Sequence, residues 1–159
     1  MAMPVIMFPT VFIFSFSSLI IPEFSSLLAK GYKKRIINVS HKIFAIATIF
    51  SLIVAIICFI FANNLSLAIF QNLEPAKYIK MLSPLIVLMY IDNIIDNMLK
   101  GLNRQFKVML CNIADLIITI SLLYFLLPIL GINGFIISMY VSEIFNFTIS
   151  YLELRKTAK

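Results

Sequence analysis

The sequence predicts an all-α fold, a polytopic bundle of about five transmembrane helices forming a single transmembrane domain over residues 1–159. Three observations carry this. The chain is 62% hydrophobic and only 13% charged, about half the charged share of an ordinary soluble domain. The charges cluster, leaving uncharged runs before Glu23, between Lys42 and Glu74, and between Asp115 and Glu143. Each run reaches the roughly 20 apolar residues that one span requires, and the last must contain a turn. Barrel strands would alternate apolar and polar over about ten residues, whereas these runs are continuously apolar, so helices are expected.

The first helix is expected over about residues 4–30, interrupted at Pro22, with Gly31 placed as its C-cap. Met1 enters directly into an apolar run, without the basic segment and small-residue cleavage site of a signal peptide. The start therefore reads as internal. The second helix is expected over 42–62. Asn63-Asn64 and Glu74-Pro75 then bracket a connection whose apolar patch, Leu65 to Phe70, is too short to span. It is expected to lie at the interface or to extend the second helix. The third helix is expected over 78–102 and the fourth over 106–127. Pro128, Gly131 and Asn133-Gly134 make a tight turn. The fifth helix follows over 132–154.

Lysine and arginine set the direction of the bundle. Lys30, Lys33, Lys34, Arg35 and Lys42 follow the first helix, and Lys100, Arg104 and Lys107 follow the third. Arg155, Lys156 and Lys159 follow the fifth. Only Lys77 and Lys80 fall on the other side, an eleven-to-two split of the 13 basic residues. This asymmetry predicts a plasma-membrane protein with its N-terminus outside and its C-terminus in the cytoplasm. The net charge of +6 then reflects topology and attraction to anionic headgroups. Nucleic acid is excluded as a partner, because the basic residues sit at helix ends and not on a solvated face.

Against this background the stretch MYIDNIIDNMLKGLN, residues 89–103, is unusual. A rise of about 1.5 Å per residue brings Asp92, Asp115 and Glu143 near the bilayer midplane on three different helices. Each aspartate at a helix centre costs about 2.5–3.5 kcal/mol on insertion scales, so all three are expected to avoid lipid. Asp92, Asp96 and Lys100 share a helix face, flanked by Asn93 and Asn97. Asn112, Asp115 and Thr119 form a stripe on the fourth helix, and Ser142 or Glu143 with Asn146 and Ser150 form one on the fifth.

Two readings stand. The acids line a shared polar cavity, with Asp92, Asn93, Asn112, Asp115, Glu143 and Asn146 on a substrate or ion pathway. Alternatively the polar groups hydrogen-bond helix to helix and hold the bundle together. Asp96, Lys100 and Arg104 form the cytoplasmic rim, where Asp96 and Lys100 have the spacing of an ion pair. Pro22 and Glu23 mark either a gating bend or the end of the first helix at the interface.

Other residues read more plainly. His41, beside Lys42 in the basic connection, is expected to be solvated, and Tyr32, Tyr78 and Tyr151 to anchor at the interface. Cys58 and Cys111 lie inside apolar segments and read as small packing residues. No HExxH, GxSxG or Walker lysine loop occurs, and no histidine partners a nucleophile. No enzyme activity, cofactor or metal site is therefore expected.

Three segments carry a resemblance: LIIPEFSSLLAKGYKKRI, LSPLIVLMYIDNIIDNMLKGLN and FLLPILGINGFIISMYVSEIFNF. Together they resemble the second lobe of the stage V sporulation protein B and polysaccharide biosynthesis flippase family, in the multidrug/oligosaccharidyl-lipid/polysaccharide (MOP) exporter superfamily. The resemblance runs from about Pro4 to Arg155 and rests on Pro22-Glu23, the Leu99 to Asn103 turn and the Gly131 to Phe135 turn.

It implies a flippase for lipid-linked cell-wall (peptidoglycan) or polysaccharide precursors, in which two lobes rock about a midplane site by alternating access. The chain would supply most of a C-terminal lobe, with the first lobe absent and required as a partner. Its acids, in place of the cations that a pyrophosphate-linked lipid favours, would suit a coupling proton or sodium ion. Two other readings follow: a cation-coupled multidrug antiporter lobe, or a non-transporting membrane scaffold.

Overall fold

Prolines, glycines and charged borders set the helix ends in this chain. A computed structural model describes residues 15–158, so the part of the first helix expected over 4–14 lies outside the described residues. Residues 15–18 are helical, Leu19 forms a turn, and α1 follows over Ile20–Ala29. The interruption assigned to Pro22 therefore falls three residues earlier. Proline cannot donate to the carbonyl four residues back and its ring crowds that carbonyl, so the distortion appears at Ser18 and Leu19. The α1 C-terminus closes as expected: Gly31 takes a φ of 68°. Gly31 N–H then bonds to the Leu28 carbonyl at 3.0 Å and Tyr32 N–H to that of Leu27 at 3.2 Å, a Schellman pair.

α2 runs over Lys33–Ile60, starting nine residues before the expected position. The supposed basic loop is a helical extension. Lysine and arginine are good helix formers, and Ile36 is buried beneath them. The Leu65 to Phe70 patch forms a helix of its own, α3 over Ala62–Phe70, which ends at Gln71 in the left-handed conformation. α4 spans Glu74–Gly101 with Pro75 in its first turn, where a missing N–H costs nothing. α5 spans Gln105–Leu130 and absorbs Pro128 into its last turn, which reduces the expected four-residue turn to Gly131. α6 spans Ile132–Ala158.

Every described element is helical, and α2, α4, α5 and α6 are long and apolar enough to cross a membrane. Large apolar side chains lie outside along α2 and α5, while Asp92, Asp96, Asn97, Ser142, Asn146 and Ser150 are buried. Such an arrangement suits a lipid surround and a polar interior.

Hydrogen-bond registers give the packing directions. Ser17 to Asn93 and Ser25 to Gly101 are each 76 residues apart, so the first helical segment and α1 run parallel to α4. Asp92 to Asn146 and Asp96 to Ser150 are each 54 apart, so α4 and α6 are also parallel. Lys107 pairs with Glu153 and Asp115 with Ser142, separations that shrink towards the turn and make α5 and α6 an antiparallel hairpin. α4 is the central helix, buried along most of its C-terminal half from Tyr90 to Gly101.

Candidate functional site

α4 presents two polar rows because successive helical residues turn by about 100°. Asp92 and Asp96 face α6. Asn146 Nδ2 donates to Asp92 Oδ2 at 2.7 Å, and Ser150 Oγ donates to Asp96 Oδ1 at 3.3 Å. Asn93 and Asn97 serve the other side: Ser17 Oγ donates to Asn93 Oδ1 at 2.8 Å, and Asn97 Nδ2 reaches the same oxygen at 3.3 Å. Lys100 Nζ then donates to Asn97 Oδ1 at 3.4 Å.

Among the described residues Asp96 and Lys100 form no direct ion pair, although Lys100 lies within electrostatic reach of Asp96. Asp96 is sealed in the α4–α6 seam, while the half-buried Lys100 ammonium stays at the rim, where it remains close to water.

A third polar group ties α5 to α6. Ser142 Oγ bonds to Asp115 Oδ1, and Thr119 Oγ1 lies 2.6 Å from the same serine oxygen. Ser142, not Glu143, is thus the residue of the fifth-helix stripe that meets the fourth helix. Ser142 and Asn146 are one turn apart on α6, so Asp115 and Asp92 differ in depth by about 6 Å. Asp92 lies within electrostatic reach of Asp96, Glu143 and Asp115, so α6 gathers all four carboxyl groups around its middle.

The remaining residues fall outside this cluster or at its edge. Asn112 is exposed on α5, within reach of Asp96 across the helix contact. Arg104 caps the start of α5 and is exposed at the rim. Glu23 is exposed in the first turn of α1 and lines an apolar cavity of about 430 Å³ between α1 and α2, away from the acidic cluster. Pro22 is likewise exposed there.

The arrangement has one incomplete point. Among the described residues, Asp92 Oδ1 and Asn146 Oδ1 are buried without a hydrogen-bond partner, as is the Tyr90 hydroxyl. Two acceptor oxygens cannot satisfy each other. They require a donor between the helices, which a proton on the carboxyl group, a cation or a substrate hydroxyl supplies. Tyr90 was not among the expected site residues, because its apolar neighbours Met89 and Ile91 give it the look of a packing residue. Tyr140 was also missed. Its hydroxyl donates to the Met81 carbonyl at 2.7 Å, three residues before Pro84, which lies inside α4.

No family model matches this chain, and neither a curated protein nor a solved structure matches it.

Proposed function

We propose that this chain is part of a membrane exporter that flips lipid-linked cell-wall or polysaccharide precursors by alternating access, and that it carries no catalytic activity of its own. The observation that supports the reading is the Asp92–Asn146 pair. It is buried, bonded across two parallel helices, and keeps two acceptor oxygens open for a donor. Buried acids with unsatisfied capacity are costly in a bilayer, and ion or substrate pathways are where such residues are retained. The resemblance to the polysaccharide flippase family supplies the substrate class, a saccharide carried on a lipid. Within that reading the chain contributes part of one lobe, and a partner lobe completes the path.

The direction of insertion belongs to the same proposal. The starts of α2 and α5 and the ends of α1, α4 and α6 carry the basic residues, so this end faces the cytoplasm of a plasma membrane and Lys77 and Lys80 face outside.

A second reading, a cation-coupled multidrug antiporter, draws on the charge of the interior. Four carboxyl groups gather there against Lys100 at the rim, which suits a proton or sodium ion better than a pyrophosphate. An assay of fluorescent lipid-linked precursor in membrane vesicles from cells that make the chain together with its partner lobe separates the two. Movement of the precursor between leaflets supports the flippase. Ion-driven accumulation of a lipophilic cation without precursor movement supports the antiporter. Loss of neither activity on deleting the chain from cells, with only membrane assembly impaired, leaves the scaffold reading.

A further inference from the structure

A separate pocket of about 270 Å³ lies where the start of α2 meets the end of α6, and no residue of the acidic seam lines it. Its polar rim is formed by His41, Tyr151 and Arg155, and its walls by Ile37, Phe44 and Leu154. The helical extension of α2 creates it: with residues 33–42 in a loop, His41 would have no fixed place beside Arg155.

The chemistry of the rim is that of an anion site with an apolar floor. Arg155 and His41 are exposed and form no ion pair among the described residues, and the nearby carboxylate Glu153 is paired with Lys107. Lys34 lies on the same face of α2 as Ile37 and His41, by the three- and four-residue steps of a helix, and adds a second cation. Tyr151 is held in place by its ring neighbours, Phe147 stacked at 6.0 Å and Phe44 tilted at 6.4 Å.

Depth identifies the occupant. On α2 no charge follows Lys42, and on α6 none occurs between Glu143 and Glu153. The pocket straddles the level where charge stops on both helices, which is where headgroup gives way to hydrocarbon. A guanidinium and an imidazole at that level, above a wall of Phe44 and Leu154, match a phosphate with an acyl chain beneath it.

We infer that this pocket binds one anionic phospholipid, with its phosphate against Arg155 and His41 and an acyl chain along Phe44. The site does not depend on the transport reading.

The test is lipid retention by the purified full chain, measured by native mass spectrometry after equal offers of phosphatidylglycerol and phosphatidylcholine. Phosphatidylglycerol is retained in preference. Arg155→Gln lowers its retention about fivefold, the share of one basic residue at a headgroup. His41→Gln lowers it in the same direction. Lys156→Gln removes the same charge at the neighbouring position outside the pocket rim and leaves retention within about twofold. Equal retention of the two lipids overturns the proposal. So does an equal loss from Lys156→Gln and Arg155→Gln, which would make the effect one of net charge. Displacement of the lipid by soluble glycerol phosphate overturns it too, because the site would then take phosphate alone.

Discussion

Asn146 donates its side-chain amide to Asp92 at 2.7 Å, yet each of the two residues keeps one buried oxygen without a partner. The pair is therefore half satisfied. This asymmetry gives Asp92→Asn and Asn146→Ala opposite consequences for stability. Asparagine at 92 still accepts from Asn146 and offers a new N–H₂ to the neighbouring orphan oxygens, so the variant keeps or gains stability. Alanine at 146 leaves Asp92 Oδ2 without the Asn146 amide and destabilises the bundle by about 1–3 kcal/mol. Unfolding in mixed micelles, monitored by circular dichroism, checks both signs.

Gly101 ends α4 where α1 crosses it. A Cβ there would stand 2.7 Å from the Phe24 Cβ and 2.8 Å from the Ile21 carbonyl oxygen, both on a buried backbone contact with little room to yield. Gly101→Ala is expected to push α1 away and destabilise by about 1–3 kcal/mol. It also breaks the Ser25 bond to the Gly101 carbonyl. Ser25→Ala, which loses only that bond, is expected to cost less than half as much in the same unfolding measurement.

Ser142 joins Asp115 and Thr119 at the middle of the α5–α6 hairpin. Ser142→Ala therefore removes two contacts at once, and Thr119→Ala removes one. Interhelical hydrogen bonds in membranes average about 0.6 kcal/mol, so losses of about 1 and about 0.5 kcal/mol are expected. The double variant Ser142→Ala/Thr119→Ala should cost less than the sum of the single losses, because the two residues share a bond. A double-mutant cycle reads this directly.

The class of fold was legible in the sequence because hydropathy and charge spacing are one-dimensional signals. The apolar part of α2 fills one uncharged run and the α5–α6 turn falls inside another, whereas α4, which carries charges along its length, is legible by its hydropathy. Helix rotation was less legible. A helix that is apolar almost all round has no strong preferred face, so the polar row on α4 was visible but its partners were not. Asp92 and Asn93 are adjacent in sequence and meet different helices, α6 and the segment that carries Ser17. The choice between Ser142 and Glu143 was open for the same reason. The start of α2 was misplaced on another ground: charge was read as loop, although Lys34 and Arg35 lie over the buried Ile36 and continue the helix.

Topology gives a prediction independent of the acidic seam. Cys58 is buried and Cys111 half-buried, both in spanning helices, so neither should react with a membrane-impermeant maleimide. Lys77→Cys is expected to label in intact cells. Lys156→Cys is expected to label only after permeabilisation. The reverse pattern inverts the insertion while leaving the helix packing intact.

The most direct test of the central claim, that the Asp92–Asn146 seam lies on a transport path, is movement of fluorescent lipid-linked precursor across vesicles bearing Asp92→Asn. The substitution preserves the bond to Asn146 and removes the titratable carboxyl group. The account predicts normal abundance with translocation reduced at least about tenfold, a loss of roughly 1.4 kcal/mol in the driving interaction. Translocation and ion dependence equal to those of the unaltered chain would contradict it, and would leave the seam as helix-to-helix bonding alone.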